Sequence, residues 1–356
     1  MLKLYQKQKA DATMKESILY EKMKNKAVRC KTCSHFCVIM PGKRGTCGVR
    51  ENIGGKLYLL VHGRAIAANI DPIEKKPLFH FMPGTYTFSI STVGCNFRCG
   101  NCQNWTISQF GKTPDVTREI IENSGEYLPP KKIVRLAKEN NCPSISYTYT
   151  EPTIFLEYAL DTMKLAKKAG LKNIWVSNGF MSGETLKLII PYLDAINIDI
   201  KSFDDKFYQE NCGARLEPVL KNCKAVVKNK IWLETTTLII PTLSDDEKML
   251  EKIARFVKNE LGDFVPWHVS AFSGAISWKL QHLPETPVEK IRKAYEIGKS
   301  AGLKYVYAGN VYDRDMENTF CSKCGEKMIK RLGYNIKRFD VRGKCRKCGE
   351  KLRMID

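Results

Sequence analysis

Cys95, Cys99 and Cys102 stand at C-x3-C-x2-C spacing in the run Gly94-Cys95-Asn96-Phe97-Arg98-Cys99-Gly100-Asn101-Cys102. A [4Fe-4S] cluster normally takes four thiolates. Three cysteines packed this tightly can wrap a cubane from one side and leave one iron open to a ligand from elsewhere. A structural zinc site would need a fourth protein ligand and more usually shows paired C-x2-C knuckles.

The chain holds 14 cysteines. In a reducing compartment such thiols serve as metal ligands rather than disulfides. Cys321 and Cys324 form one C-x2-C-Gly knuckle, and Cys345 and Cys348 form a second. Each knuckle gives two thiolates and the pair completes a tetrahedral site, the pattern of a zinc ribbon. A segment this short depends on its metal for a core. Cys30, Cys33, Cys37 and Cys47 follow C-x2-C-x3-C-x9-C among turn residues such as Pro41 and Gly42. Four thiolates there suit zinc or an auxiliary [4Fe-4S] cluster that relays electrons, with zinc narrowly preferred. Cys142, Cys212 and Cys223 are spaced singly and read as small buried hydrophobes.

These groups need elements to position them, and the pattern divides the chain in three. Residues 1–84 read as an N-terminal Cys-rich metal module opened by a charged helical arm. Residues 85–312 alternate β-branched runs with helical stretches, the βα signature of a parallel sheet. Strands are predicted at 87–93, 145–150, 173–177, 195–200, 231–240, 266–272 and 304–308. Helices are predicted between them at 130–139, 153–169, 183–192, 217–228, 244–261 and 287–301. Residues 313–356 carry the ribbon. The fold class is α/β, a partial (β/α)6 TIM-like barrel flanked by the two cysteine modules. Active sites of such barrels lie at the C-terminal ends of the strands. Glu151, Asn178, Asp199 and Lys201 fall there, and His268 lies in a late strand. Each has a plainer alternative: a helix start at Glu151-Pro152, a turn at Asn178-Gly179, a surface ion pair for Asp199 and Lys201, a satisfied core histidine for His268. Their common address favours function.

The formal charge is +20, from 58 Lys and Arg against 38 Asp and Glu. It suits an acidic partner, but the excess is spread along the chain instead of gathered in one stripe, so nucleic acid is not favoured as a partner. The N-terminus lacks an apolar signal core, and no stretch has the unbroken apolar run of a membrane span. A cytoplasmic protein with no membrane association is expected.

The three-cysteine loop resembles that of the radical S-adenosylmethionine (SAM) superfamily. Over nearly its full length the chain resembles the AmmeMemoRadiSam system radical SAM enzymes, a branch similar to pyruvate formate-lyase-activating enzymes. The likeness is carried by Gly45-Thr46-Cys47-Gly48-Val49-Arg50, Asp71-Pro72-Ile73-Glu74-Lys75-Lys76-Pro77, His80-Phe81-Met82-Pro83-Gly84, the three-cysteine run, Tyr147 with Glu151-Pro152, Asn197-Ile198-Asp199-Ile200-Lys201, Pro266-Trp267-His268-Val269-Ser270 and Gly309-Asn310-Val311. The resemblance implies a radical SAM barrel. It implies that Cys95, Cys99 and Cys102 hold a [4Fe-4S] cluster and that the amino and carboxylate groups of SAM complete it. By the same carry-over Glu151 meets the SAM amino group, Asn178 lies in the counterpart of an Asn-Gly turn, Asp199 and Lys201 match an Asp-x-Lys pair, and His268 matches a histidine near SAM. Two departures stand out. Asn101 replaces an aromatic residue frequent before the third cysteine, and Thr236 stands where the activating enzymes carry arginine.

The function expected is reductive cleavage of SAM to a 5′-deoxyadenosyl radical that abstracts hydrogen from a macromolecular substrate, in the manner of an activase or a modifying enzyme. An electron donor is required. The family name implies association with Memo-like and AMMECR1-like proteins. The competing class is a non-catalytic iron–sulfur and zinc protein that binds RNA or a protein partner.

Overall fold

The computed structural model describes residues 14–311 and 315–356. Residues 1–13 of the expected helical arm, and the boundary expected at 312/313, lie outside the described residues. The rest of the arm is not α-helical. Lys15–Glu16 pairs antiparallel with Lys56–Leu59, Tyr20–Lys22 pairs with Val28–Cys30, and Lys24–Lys26 makes a single 3-10 turn. Strand pairing supplies backbone partners that a short charged helix would lack, so tertiary context overrides local propensity.

By its internal contacts the chain forms two compact units. The first comprises the described residues through Ile70, with Thr87–Arg98 and Asn104–Asp194. It contains the N-terminal cysteine module, in which Val28–Cys30 also pairs with Val38–Ile39 and Arg50–Ile53 pairs with Lys56–Leu59. Val28, Cys30, Ile39 and Leu57 make its small core. Strands β1 (Tyr86–Ser91), β2 (Ser144–Tyr147) and β3 (Lys172–Ser177) run parallel, with Ser144 opposite both Thr87 and Lys172. Helix α1 (Pro130–Glu139) precedes β2, and prolines at its start need no intrahelical N–H partner. Helix α2 (Leu156–Lys168) follows β2, and α3 (Gly183–Ile189) follows β3, capped by the Ser182 hydroxyl on the Thr185 amide.

One buried ion pair ties the cysteine module to α2. Arg50 donates from Nη1 and Nη2 to the two carboxylate oxygens of Glu157 at 3.0 and 2.6 Å, and both residues are 1% exposed. Ser17 and the Ile154 carbonyl take the other guanidinium donors, and the Ile18 amide donates to Glu157. A charge pair taken out of water is tolerated because its remaining donors are satisfied.

The second unit comprises Asp71–Tyr86, Cys99–Gln103 and the described residues from Ala195 to Asp356. Strands β4 (Ala195–Asp199), β5 (Trp232–Ile239), β6 (Trp267–Ala271) and β7 (Val306–Gly309) pair in that order, all parallel. Helices α4 (Leu216–Lys228), α5 (Glu247–Phe256) and α6 (Val288–Ser300) connect them. The C-terminal cysteines border an antiparallel ribbon, Thr319–Phe320, Lys327–Leu332 and Asn335–Arg338, whose core is Cys321, Met328, Ile329, Cys345 and Leu352. The α/β class and the parallel strands expected from the sequence are therefore present. Among the described residues no helix is long and apolar enough to cross a membrane.

Candidate active site

In the first unit β1 runs into the loop that opens with Gly94 and Cys95. Gly94 has φ +94°, and a Cβ there would lie 2.7 Å from both the Cys47 carbonyl oxygen and a Val49 methyl. The turn thus needs glycine for its backbone conformation and for its approach to the N-terminal module. On the other side of Cys95, His35 Nε2 donates to the Asn96 carbonyl at 2.8 Å. The Asn96 side-chain oxygen accepts from Asn178 Nδ2 at 2.7 Å, and the Phe180 amide donates to Asn178 Oδ1.

Glu151 lies beyond the C-terminal end of β2 and is 2% exposed. It accepts from the Asn178 amide (2.7 Å), the Ser177 hydroxyl (2.8 Å) and both the amide and hydroxyl of Thr153 (3.1 and 2.5 Å). The sequence alternative of a helix start is realised too, since Glu151 caps the 3-10 turn Pro152–Phe155. Burial pushes its carboxyl above the ordinary range, against those hydrogen bonds. Strand β2 stops at Tyr147 instead of Thr150 because Tyr149 takes φ +61°, a costly left-handed conformation for a bulky residue. Asn104 Nδ2 holds that turn by donating to the Tyr149 carbonyl at 2.9 Å.

In the second unit Cys99 is buried and Cys102 half-buried. Asp199 ends β4, and Lys201 Nζ donates to its carboxylate at 2.7 Å. Burial disfavours the Lys201 ammonium, but negative charge on Asp199, Cys99 and Cys212 outweighs it and holds the amine's pKa well above the ordinary range. The hydrogen bond with Cys212, then burial, pushes the Cys99 thiol up, and Lys201 pulls it down. On balance the Cys99 thiol is held well above its ordinary range, and the Lys201 ammonium offsets part of this toward the thiolate that a metal requires. The Gly100 amide donates to the backbone and side-chain oxygens of Asn211, and Asn211 Nδ2 donates to Asn101 Oδ1 at 2.9 Å. Asn101, a departure from the expected aromatic, is thus a fixed hydrogen-bond partner of the loop. Thr236, the other departure, donates to Asn197 at 3.0 Å.

Sequence reasoning missed two residues. Cys212 ends the π-helical turn Tyr208–Cys212 and reaches Cys99, which no spacing rule connects to it. Glu234 is fully buried in β5. It accepts from the Phe79 and His80 amides at 2.9 and 2.8 Å, from Trp232 Nε1 at 3.1 Å and from His268 Nε2 at 2.7 Å. A carboxylate within a β-branched run signals such a network. His268 lies in the late strand expected of it. It is the second residue of β6, away from the C-terminal end, and its ring is edge-on to Phe79 and committed to Glu234.

The C-terminal quartet meets the geometry of a metal site. The donor atoms of Cys321, Cys324, Cys345 and Cys348 all lie within 4.8 Å of one another.

A parallel α/β chain with a three-cysteine loop following its first parallel strand defines a class, and comparison with known proteins names it. The model of the Radical SAM superfamily matches residues 89–257. An uncharacterized protein of Methanocaldococcus jannaschii is 45% identical over 345 residues, 96% of this chain and all of that one. The pyruvate formate-lyase-activating enzyme of Clostridium pasteurianum is 25% identical over 212 residues, 56% of this chain and 84% of that enzyme. The crystal structure of Streptococcus suis SuiB bound to precursor peptide SuiA aligns with a TM-score of 0.48 at 15% identity, covering 67% of this chain and 51% of SuiB. The chain belongs to the radical SAM superfamily and has activating enzymes among its homologues.

Proposed function

We propose that Cys95, Cys99 and Cys102 hold a [4Fe-4S] cluster with SAM on its open iron, and that the protein abstracts hydrogen from a macromolecular substrate. Such a cluster supplies the electron that cleaves SAM reductively to a 5′-deoxyadenosyl radical. The observation that carries this reading is the Asp199–Lys201 pair beside Cys99, a fixed cation next to a proposed ligand thiol. The donor set fits the group: three thiols on one short loop leave a cluster one ligand short.

In this reading Lys201 favours the Cys99 thiolate and neutralises the SAM carboxylate, while Asp199 orients Lys201. Glu151 receives the SAM ammonium, and Asn178 keeps Glu151 and Asn96 in place. In a partial (β/α)6 barrel, the arrangement proposed for this chain, residues that follow the C-terminal ends of strands are the ones expected to bind the cofactor. The C-terminal quartet holds zinc in a structural role. The reaction draws on an external electron donor. Activase-like chemistry on a protein partner is the substrate reading most in keeping with the activating-enzyme relatives, and Memo-like and AMMECR1-like proteins are the partners to try first.

Equilibrium binding of SAM to the anaerobically reconstituted protein tests this. Wild type binds, and Lys201→Ala weakens binding about tenfold or more, the loss of roughly 1.4 kcal/mol of charge pairing. Absence of binding to cluster-loaded wild type rejects the proposal.

A further inference from the structure

The two outer cysteine quartets have different geometries. In the C-terminal quartet Cys321 and Cys348 sulfurs are 3.6 Å apart, as are those of Cys324 and Cys345. A zinc–sulfur distance of about 2.3 Å gives a tetrahedron with sulfurs about 3.8 Å apart. That quartet is closed to the size of a single ion.

The N-terminal quartet is open. Cys30, Cys33, Cys37 and Cys47 line one small cavity of about 10 Å3, a gap that the C-terminal quartet closes with its sulfur–sulfur contacts. The close partners of two of these sulfurs are hydroxyls: Thr32 Oγ1 lies 3.5 Å from Cys30 Sγ, and Thr46 Oγ1 lies 3.3 Å from Cys37 Sγ. Among the described residues none of the four makes a sulfur–sulfur contact like those of the ribbon. Four thiols facing a shared space without touching suit a ligand with a body of its own. A cube of iron and sulfide keeps its thiolates well beyond mutual contact, whereas one zinc ion draws them together.

We infer that Cys30, Cys33, Cys37 and Cys47 hold a [4Fe-4S] cluster with all four irons ligated by protein, not zinc. This goes beyond the SAM-site reading and does not depend on it. Arg50 also lines the cavity, although its guanidinium is already paired with Glu157. The Thr32 and Thr46 hydroxyls stand where hydrogen bonds to sulfur tune a cluster's potential. The quartet is also joined to the loop of Cys95 by His35, two residues after Cys33, which bonds the Asn96 carbonyl, and by the Cys47 carbonyl against Gly94. A cluster at this place takes one electron from an external low-potential donor and gives one up, with no bond made or broken.

Metal analysis and Mössbauer spectroscopy of the full chain, expressed with iron and purified anaerobically without reconstitution, test the inference. The variant Cys95→Ala/Cys99→Ala/Cys102→Ala should keep about four iron per chain with [4Fe-4S] parameters and about one zinc, and dithionite should produce a cluster EPR signal. About two zinc and no iron, or about one zinc and no iron, overturns it. Wild type gives a reading free of variants. It should carry about eight iron, of which about half is insensitive to added SAM. Wild-type iron that responds to SAM entirely overturns the inference. Iron of which none responds would leave this cluster standing and reject the SAM reading instead.

Discussion

The Nε2–H of His35 donates to the carbonyl oxygen of Asn96 at 2.8 Å, so a side chain from the N-terminal cysteine module fixes the peptide next to Cys95. A carbonyl only accepts, which places the proton on Nε2. The His35 ring also packs on Phe180 at 4.9 Å, and Phe180 in turn meets Phe97 at 5.3 Å. With Gly94 against Cys47 on the other flank, the module sets the conformation of the loop that begins with the first cysteine.

Gly94→Ala should therefore damage both. Its φ of +94° and the 2.7 Å approach to the Cys47 carbonyl leave no room for a methyl group. A loss of about 2 kcal/mol or more is expected, together with reduced iron loading. Thermal unfolding and iron content check this, and a variant with wild-type values of both would contradict it.

Arg50 and Glu157 give a prediction with a built-in rescue. Arg50→Met strands a buried carboxylate and should cost about 3–5 kcal/mol. The double variant Arg50→Met/Glu157→Leu removes the orphaned charge and should recover a large part of the loss. Denaturant unfolding of the single and double variants measures the coupling. Equal destabilisation in both would show that the pair itself is not what matters.

Cys212→Ala should leave SAM cleavage in place and alter the redox behaviour of the cluster. Cys99 and Cys212 are hydrogen-bond partners, with Cys99 the donor when both are free; once Cys99 is ligated as the thiolate it can only accept, so Cys212 becomes the donor. Removing a donor to a ligand sulfur lowers a cluster's reduction potential, by on the order of tens of millivolts. Potentiometric EPR titration reads this directly, and an unchanged potential would return Cys212 to a packing role.

Stability should fall on mild acidification because of His80. Burial holds its imidazole down to about 4, against an ordinary value of 6.5. Its Nδ1 donates to the Arg353 carbonyl, and its Nε2 accepts from Tyr307, which suits the neutral ring. Between pH 6.5 and about 4 the unfolded chain binds a proton that the folded one excludes, so this contribution is complete above 6.5 and is lost as pH falls toward 4. The loss approaches about 3 kcal/mol. Comparing unfolding of wild type and His80→Gln across this range isolates the effect, and parallel slopes would refute it.

The strands and helices of the parallel core were legible because hydrophobic period and caps agree there, as in α1, whose limits match those predicted from its prolines and polar end. The C-terminal cysteine quartet was legible because ligand spacing within each knuckle is a local property. What the sequence concealed depends on tertiary contact. The arm before Lys26 pairs as short strands because Leu57 and Cys30 lie beside it. Cys212 reaches Cys99 only through the turn after β4. His268 resembles a site histidine in its motif, and only the burial of Glu234 reveals its partner. The contrast between the two cysteine quartets likewise lies in sulfur positions that spacing does not encode.

The central claim is reductive cleavage of SAM at the Cys95, Cys99 and Cys102 site. Its most direct test is mass-spectrometric measurement of 5′-deoxyadenosine from anaerobically reconstituted protein supplied with SAM and dithionite, beside Cys99→Ala. The account predicts release by wild type and none above background from the variant. Equal release by both, or none from wild type with its clusters fully loaded, would contradict it.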